Sequence, residues 1–347
     1  MMVFDVSRNW TILVPFDNTV AKNAAAELAR CIGLLRGPGA KPPALSDAAG
    51  QAPGDDVPII VLNSGGAETD RAGFSWRVGR DRIEVYGDSN RGLCNGIFAF
   101  LAALGIRWPE PRREELPPLR SDGIYNLADD RGYMSSGKEG AAGLARLAIT
   151  GKDMRKYTEE LPRWAALNRI DALVFSLREK SLWKNSRKKQ RFLDAIRNYD
   201  LIIEAGGYDL SLPVPRSKFL FHRDLFRMNG GKRKKDFNFC PTNPDTIALL
   251  KSKVEKIFRK TPEVKVFHLW PDRDGKDAWC SCPSCRAFSP AEQNRIAVNA
   301  AADVLAALDP AASISFAENG EGGTAEAAIT LRPNLFRAGG PWRTMVS

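Results

Sequence analysis

Strand-like apolar runs alternate with helical patterns through the second half of the chain, and this alternation restricts the possible folds more than any other feature. Four amphipathic segments are predicted helices, at 153–169, 187–200, 243–260 and 289–308. The predicted strands lie between them, at 171–177, 201–207, 264–270 and 313–319, with a weaker one at 131–136. Such alternation is typical of a parallel sheet, and the most economical architecture is a (β/α) barrel of TIM type.

The barrel is expected to be truncated at its C-terminal end. A closed TIM-type barrel has eight strands, and only about 28 residues follow Asn319, with one further candidate strand at 329–340. An open sheet is the alternative. A half-barrel would expose the edges of its sheet, so a homo-oligomer is predicted if the truncation is real.

The N-terminal third predicts a separate, smaller α/β unit. Its strands are expected at 10–17, 57–63 and, as a hairpin, 74–87, and its helices at 18–35 and 90–108, the first capped by Asn18. The predicted division is therefore an α/β domain at 1–110, a proline-rich charged linker at 111–124 and the partial barrel at 125–347.

The chain carries a net charge of +10 and has a pI near 9.4, which allows an acidic partner such as nucleic acid or a uronate sugar. Much of the positive charge lies at 176–191 and 231–235. A solvated helix face and a loop explain these runs, because aromatic residues do not alternate with them as in a base-stacking platform. Neither a dinucleotide-binding glycine motif nor a phosphate-binding loop occurs.

The N-terminal sequence predicts a cytoplasmic protein without membrane contact. Residues 1–18 lack a basic start, an unbroken apolar core and a small-residue cleavage site. No apolar run approaches the roughly 20 residues that span a bilayer. In the cytoplasm cysteines stay reduced, so disulfides are not expected.

Cysteines are concentrated in the segment WCSCPSC, at 279–285. Cys280, Cys282 and Cys285 supply three thiols, and a closed tetrahedral zinc site needs a fourth ligand. Cys240 is the candidate, because it follows the third predicted strand and the triplet follows the fourth, which would place both loops on one rim. A structural zinc ion is one hypothesis; reduced packing, a local disulfide in exported relatives and redox chemistry are the alternatives.

Several segments resemble known carbohydrate-active proteins. YGDSNRGLCNGIFAFLAALGIRWPEP, at 86–111, resembles the end of the small N-terminal domain of α-glucuronidases and β-hexosaminidases. EAGGYDLSLPVPR (204–216), FNFCPTNPD (237–245) and the segment 268–305 resemble an uncharacterised bacterial family. That family has the same N-terminal domain before a glycoside-hydrolase-like barrel and carries a Trp-Cys-x-Cys-x-x-Cys signature. The resemblance covers roughly 10–335 and implies a glycoside-hydrolase-like barrel here.

Polar and aromatic side chains follow the predicted strands at the rim where a barrel carries its active groups. Tyr and Trp offer flat faces to sugar rings, and Arg can hold a uronate carboxylate by two hydrogen bonds. A buried core position is the alternative for His268, and a surface loop position for His222. The candidates for substrate binding are Arg131, Glu204, Tyr208, Asp209, Arg216, His222, His268, Trp270 and Asn319.

A glycosidase needs two carboxyl groups, one to protonate the leaving oxygen and one to act as nucleophile or base or to orient the substrate. Hexosaminidases place their acid pair just after strand four, so the resemblance implies Asp272 and Asp274 as catalytic acids. Glu318, after the fifth strand, is a further candidate. A solvated turn and a metal-binding acid are the alternatives for Asp272 and Asp274.

The preferred hypothesis is a glycoside-hydrolase-like protein that acts on a carbohydrate, such as a uronate or an N-acetylated sugar. A catalytically inactive carbohydrate-binding protein is the second hypothesis. A basic nucleic-acid-binding protein with a zinc knuckle is the third.

Overall fold

The computed structural model describes residues 2–15, 17–48, 57–65, 72–127, 131–134, 144–178, 187–273, 277–317, 329–338 and 343–344. Two larger sheets organise these residues, one in the N-terminal part of the chain and one in the remainder. No described helix is both long and apolar enough to cross a bilayer.

The N-terminal sheet has six strands and carries two helices. Its elements and the short pairs beside it are β1 Met2–Asp5, β2 Thr11–Val14, α1 Thr19–Leu35, β3 Ala44–Asp47, β4 Ile59–Ser64, β5 Phe74–Val78, β6 Arg82–Gly87, α2 Asn90–Ala103, β7 Arg107–Glu110, β8 Arg113–Glu115, β9 Ile124–Leu127 and β10 Arg131–Met134. The strand order is β10-β5-β6-β4-β2-β3. The inner strands β2, β4 and β6 pair in parallel, and β5 and β10 add an antiparallel edge.

Local signals in the sequence fix both helices. The side chain of Asn18 accepts a hydrogen bond from the Ala21 amide at 3.0 Å, which confirms the predicted cap of α1. Ser89 caps α2 in the same way through the Gly92 amide, at 3.0 Å. Helix α2 ends earlier than predicted, because Gly105 takes a positive φ of 97° and the chain then enters β7.

The segments that were expected to join the two parts of the chain are themselves structured. Residues 111–124, the predicted linker, include β8, which pairs antiparallel with β7, and lead into β9, which pairs antiparallel with β1. The weak strand predicted at 131–136 does not open the second sheet. It forms β10 and pairs antiparallel with β5, where Arg131 lies opposite Arg77. Placing Arg131 at a barrel rim was therefore wrong, because a short polar strand does not encode which partner it pairs with.

The second sheet has seven strands, all parallel, in the order β18-β17-β16-β13-β12-β11-β19. Strands β12 and β16 are buried along their whole length, as expected for a parallel sheet covered by helices. The elements are β11 Arg146–Ile149, α3 Gly151–Lys156, α4 Glu160–Leu167, β12 Ala172–Phe175, α5 Arg187–Asn198, β13 Ile202–Gly207, β14 Met228–Asn229, β15 Lys232–Arg233, α6 Pro244–Lys260, β16 Val266–Leu269, α7 Pro290–Leu308, β17 Ser313–Phe316, β18 Leu335–Arg337 and β19 Arg343–Thr344.

The positions of β18 and β19 show that this sheet is curved. The two strands occupy opposite edges of the sheet, yet only residues 338–342 separate them in the chain. Six Cα–Cα steps reach about 21 Å, whereas the outer strands of a flat seven-stranded sheet would lie about 29 Å apart. The edges must therefore approach each other. Within the described residues, however, β18 and β19 do not pair, so a closed eight-stranded barrel is not observed.

The two sheets share a buried polar interface formed by helices. Helix α2 packs against α4, and α1 and α4 contact α5. Asn95 on α2 donates a hydrogen bond to Asp171 Oδ1 at 3.1 Å, and both side chains are buried. Arg163 on α4 pairs with Glu27 on α1, its Nη2 lying 2.9 Å from Oε2. The sheets are thus joined by specific hydrogen bonds as well as by apolar packing.

Candidate functional site

The carboxyl ends of the seven parallel strands meet at one edge of the sheet, where parallel α/β proteins place their binding sites. The long segment between β13 and α6 and the loop after β16 cover this edge. Both loops are tied to the strands below. The Leu210 amide donates to the Trp270 carbonyl at 3.0 Å, and the Trp270 amide donates to the Gly207 carbonyl at 2.8 Å.

Asp272 lies at the end of β16 in an ion pair with Arg216. Its Oδ2 lies 2.5 Å from Arg216 Nη2 and accepts a hydrogen bond from Ser211 Oγ at 2.6 Å. Asp272 Oδ1 and Arg216 Nη1 are buried and have no hydrogen-bond partner in the described part of the chain. Buried polar atoms are normally hydrogen-bonded. The site therefore has one acceptor, Asp272 Oδ1, and one donor, Arg216 Nη1, without a partner in the described residues.

The segment before Cys240 holds this ion pair in place. Asn238 is fully buried; its Oδ1 accepts from the Asp272 amide at 2.9 Å and its Nδ2 donates to the Arg273 carbonyl at 2.8 Å. The Phe237 carbonyl accepts a hydrogen bond from Arg216, and Phe237 itself has a positive φ of 49°. The loop before α6 therefore fixes both members of the ion pair.

Two aromatic residues lie beside the ion pair at the same edge. The rings of Tyr208 and Trp270 are in edge-to-face contact, with centroids 5.3 Å apart. Tyr208 is 59% exposed, whereas Trp270 is buried and donates from Nε1 to Ser315 Oγ at 3.0 Å. The pair thus presents the Tyr208 ring to solvent on a rigid base, which is suitable for stacking on a sugar.

Below this edge a chain of buried polar side chains connects residues on four strands, β11, β13, β16 and β17. Arg146 on β11 forms two hydrogen bonds with Glu204 on β13, at 2.6 Å (Nε–Oε2) and 3.0 Å (Nη2–Oε1). His268 Nε2 on β16 lies 2.9 Å from Glu204 Oε2, and His268 Nδ1 contacts Ser315 Oγ on β17. All four side chains are buried.

Burial favours a neutral His268 in this network. Ser315 Oγ accepts from the Trp270 indole N–H and can either donate to His268 Nδ1 or accept from it. The donating arrangement leaves the ring proton on Nε2, directed at Glu204 Oε2. Burial lowers the pKa of His268, which agrees with a neutral ring. Burial alone would raise the pKa of Glu204, but its bonds to His268 and Arg146 outweigh burial and lower it.

Asp209, which follows β13, binds groups at the carboxyl end of the neighbouring strand β12. It is buried, and its Oδ2 accepts from the Ser176 hydroxyl and the Leu177 amide, both at 3.1 Å. Its Oδ1 accepts from Arg178 Nε at 2.8 Å. The carboxylate therefore ties the loop after β13 to the end of β12.

The prediction that four cysteines converge is confirmed. Cys240, Cys280, Cys282 and Cys285 are buried and unpaired, and their sulfur atoms all lie within 4.8 Å of one another. Cys240 Sγ is 3.8 Å from Cys282 Sγ and 3.7 Å from Cys285 Sγ. These residues could hold a metal ion with four sulfur ligands. Cys31 and Cys94 are buried in the N-terminal part of the chain, as small core residues.

The structure brings most of the predicted site residues to one region. Tyr208, Asp209, Arg216, Trp270 and Asp272 line the carboxyl edge of the sheet, and Glu204 and His268 lie buried beneath it. His222 is exposed in the long loop after β13. The predicted residues Asp274, Glu318 and Asn319 lie outside the described residues.

Four residues of the site were not found from the sequence: Arg146, Ser211, Asn238 and Ser315. Arg146 begins β11, a strand that the sequence pattern did not predict. Asn238 stands two residues before Cys240, within a segment whose family resemblance had been noted. That resemblance was the one feature of the sequence that could have identified Asn238.

A scan against protein-family models gave no match, and neither did a search of curated proteins. Solved structures do match. The family GH20 β-N-acetylhexosaminidase from Streptomyces coelicolor A3(2) superimposes with a TM-score of 0.53 at 10% identity, over 96% of this chain and 65% of that one. A family GH115 4-O-methyl-α-glucuronidase with specificity for decorated arabinogalactans superimposes with a TM-score of 0.51 at 11% identity, over 91% of this chain and 43% of that one. A family GH138 enzyme targeting pectin rhamnogalacturonan II gives a TM-score of 0.51 at 11% identity, over 94% of this chain and 38% of that one.

These likenesses establish the class of fold. The chain is a mixed α/β protein with a parallel sheet and has a glycoside-hydrolase-like fold. It spans about two fifths to two thirds of the length of the structures named here. At such low identity the comparison concerns architecture and does not extend to individual residues.

Proposed function

We propose that the protein is a glycoside-hydrolase-like protein that binds a carbohydrate at the carboxyl edge of the seven-stranded sheet. The observation that carries the proposal is the Arg216–Asp272 ion pair at the end of β16. Within the described residues, one oxygen of this carboxylate and one nitrogen of this guanidinium have no hydrogen-bond partner. Those two atoms are buried, but the side chains as a whole are 34% (Arg216) and 18% (Asp272) exposed, so a sugar hydroxyl, which both donates and accepts, can contact the pair.

Asp272 is suited to one of the two roles that a glycosidase requires. Its ion pair with Arg216 and the hydrogen bond it accepts from Ser211 fix the orientation of the carboxyl group. We assign it the role of nucleophile, base or substrate-orienting group. The proton donor is then a different carboxyl group, and Asp274 and Glu318 are the proposed candidates.

The substrate class follows from charge and from the aromatic surface. Arg216 can hold a sugar carboxylate, and the net charge of +10 favours an acidic substrate. Tyr208 offers a ring face to a pyranose. We therefore propose a uronate first and an N-acetylated sugar second. The Trp-Cys-x-Cys-x-x-Cys segment supports placing the chain in the uncharacterised bacterial family that it resembles.

The test is hydrolysis of a panel of nitrophenyl glycosides and glucuronides, combined with calorimetric binding of the free sugars. We expect activity on a uronate or N-acetylated glycoside, and a loss of at least about 100-fold in Asp272→Asn, in line with removal of a catalytic carboxylate. Asp194→Asn is the matched control, because Asp194 is an exposed acid in an i,i+3 ion pair on α5. It should retain full activity.

The alternative is a carbohydrate-binding protein without catalytic activity. This function is favoured if the protein binds a sugar with no turnover, and if Asp272→Asn weakens that binding while Asp194→Asn does not. If no sugar of the panel binds to the wild-type protein, carbohydrate recognition at this edge is disproved.

A further inference from the structure

We propose that Cys240, Cys280, Cys282 and Cys285 bind one structural zinc ion, and that this ion clamps together the two loops that hold the Arg216–Asp272 ion pair. The site joins the segment before α6 to the loop after β16. The proposal concerns metal binding and loop order, and it does not depend on the protein acting on a sugar.

The spacing of the sulfur atoms fits a tetrahedral metal site. Zinc–sulfur bonds are about 2.3 Å long, so the corners of a tetrahedral tetrathiolate site lie about 3.8 Å apart. The distances from Cys240 Sγ to Cys282 Sγ and Cys285 Sγ are 3.8 and 3.7 Å. A disulfide would need about 2.05 Å. The cluster therefore has the dimensions of a metal site.

The surroundings of the sulfur atoms suit thiolates. The Met228 amide donates to Cys280 Sγ at 3.2 Å, and Thr242 Oγ1 lies 3.0 Å from Cys285 Sγ. Arg233 on β15 lies 3.8 Å from Cys280 Sγ. Four thiolates around a divalent ion carry two net negative charges, and hydrogen-bond donors with a nearby cation offset them. Part of the basic run at 231–235 thus has a specific position beside the cluster.

Hydrogen bonds connect the cluster to the ion pair. Asn238, two residues before Cys240, bonds the Asp272 amide, the Arg273 carbonyl and, at 3.2 Å, the Ala278 carbonyl. On the other side, Gln293 of α7 accepts from the Cys280 amide and donates to the Cys280 carbonyl, both at 3.0 Å. The metal would therefore link the two loops that carry Asn238 and Asp272.

The first experiment is elemental analysis of the protein purified without added metal. We expect about one zinc ion per chain, and loss of the zinc in Cys282→Ser and Cys285→Ser. Cys94→Ser is the matched control, because Cys94 is equally buried but lies on α2, and it should keep the full zinc content. Iron in place of zinc would overturn the assignment of the metal, and no metal would overturn the site.

A second measurement covers the case in which the cysteine variants do not fold. Wild-type protein stripped of metal is titrated with Co²⁺, which should saturate at one equivalent with thiolate charge-transfer absorption. Hydrogen exchange is then compared with and without Zn²⁺. We expect faster exchange at Asn238, Cys240 and Asp272 in the stripped protein, with strands β2 and β4 unchanged. Equal exchange at the loops in both states would disprove the clamp.

Discussion

Glu204 shows how single residues in this protein accommodate charge in a core. Its carboxylate is completely buried, yet each oxygen has a partner, since Arg146 binds both oxygens and His268 binds one. A buried ion pair of this kind is tolerated only when its hydrogen bonds are complete. Removing one member leaves the opposite charge without compensation.

Glu204→Gln is therefore expected to lower the free energy of unfolding by about 3–5 kcal/mol, the usual effect of breaking a buried ion pair. Urea denaturation monitored by circular dichroism measures the change in the free energy of unfolding. Glu255→Gln is the control, because Glu255 forms an exposed i,i+4 pair with Arg259 on α6. It should change stability by no more than about 0.5 kcal/mol. An equal effect of the two substitutions would contradict the role assigned to the network.

His268 makes the stability of the protein dependent on pH. Burial lowers the pKa of His268 in the folded protein below the ordinary value of 6.5. The unfolded chain therefore binds a proton below about pH 6.5 that the folded protein does not bind, and stability falls as the pH falls. The lowered pKa of Glu204 acts in the same direction at more acidic pH, and its contribution is lost as the pH falls below 4.5 toward the folded value.

We expect the free energy of unfolding to decrease between pH 7 and pH 5, with a slope from His268 of up to about 1.4 kcal/mol per pH unit. Urea unfolding at several pH values measures the slope. His268→Gln should reduce it, whereas His222→Gln, at the exposed histidine in the chain, should leave it unchanged. A stability that stays constant from pH 7 to pH 5 would contradict a lowered pKa of His268, because the folded and unfolded chains would then take up the same number of protons.

At the scale of elements, strand β13 depends on a glycine at its carboxyl end. Gly206 has a φ of 120°, and a Cβ atom there would lie 2.0 Å from the carbonyl oxygen of His268. The strands β13 and β16 could not keep their pairing around such an atom. The glycine is thus required by the close approach of two backbones, just below the candidate site.

Gly206→Ala should destabilise the protein by at least about 3 kcal/mol, a large value for one methyl group. The matched control is Gly230→Ala, because Gly230 also has a positive φ, of 58°, but open space around its Cα. Gly230→Ala should lower the free energy of unfolding by only about 1–2 kcal/mol, the cost of a left-handed backbone for a residue with a Cβ atom. Thermal and urea unfolding measure both. A small loss in Gly206→Ala would mean that the two strands separate easily.

Helix α7 shows how local and long-range signals combine in one element. Ser289 and Glu292 form a capping box, with hydrogen bonds of 3.2 and 2.8 Å, and Pro290 occupies the first turn. These signals are visible in the sequence and fix where the helix begins. The bonds from Gln293 to Cys280 depend on a loop that folds back onto the helix. The cap is local, whereas the contact is tertiary.

At the scale of the whole molecule, a buried polar contact links the two sheets. Asn95 donates to Asp171 Oδ1, and the Ala145 amide donates to Asp171 Oδ2 at 2.8 Å. Burial raises the pKa of Asp171. Since the contact joins α2 to the segment between α4 and β12, the two sheets are expected to unfold together.

Asn95→Asp should lower the free energy of unfolding by about 2–4 kcal/mol, because it places a second carboxyl group against a buried one. The double variant Asn95→Asp/Asp171→Asn restores a donor–acceptor pair and should recover at least half of the loss. Urea unfolding of the single and double variants measures this. Failure of the double variant to recover stability would indicate that the contact is not specific.

Residues close together in the chain specify the local structure of this protein. Hydrophobic period, caps and turn residues predicted the strands β12, β13, β16 and β17 and the helices α1, α5, α6 and α7, with small differences at their ends. These features depend on neighbours within a few residues. The short spacing of three cysteines also pointed to a cluster, and the position of Cys240 after the preceding strand supplied the fourth member.

Long-range packing determines how those elements pair and which side chains meet. Strand β10 joined the N-terminal sheet, β11 and β19 extended the second sheet, and Arg146 reached Glu204 across it. A strand of two to four residues gains its stability from its neighbours, and its own sequence does not specify which neighbours these are. The candidate site is likewise formed by residues far apart in the chain, and long-range contacts of this kind are fixed by packing of the whole molecule.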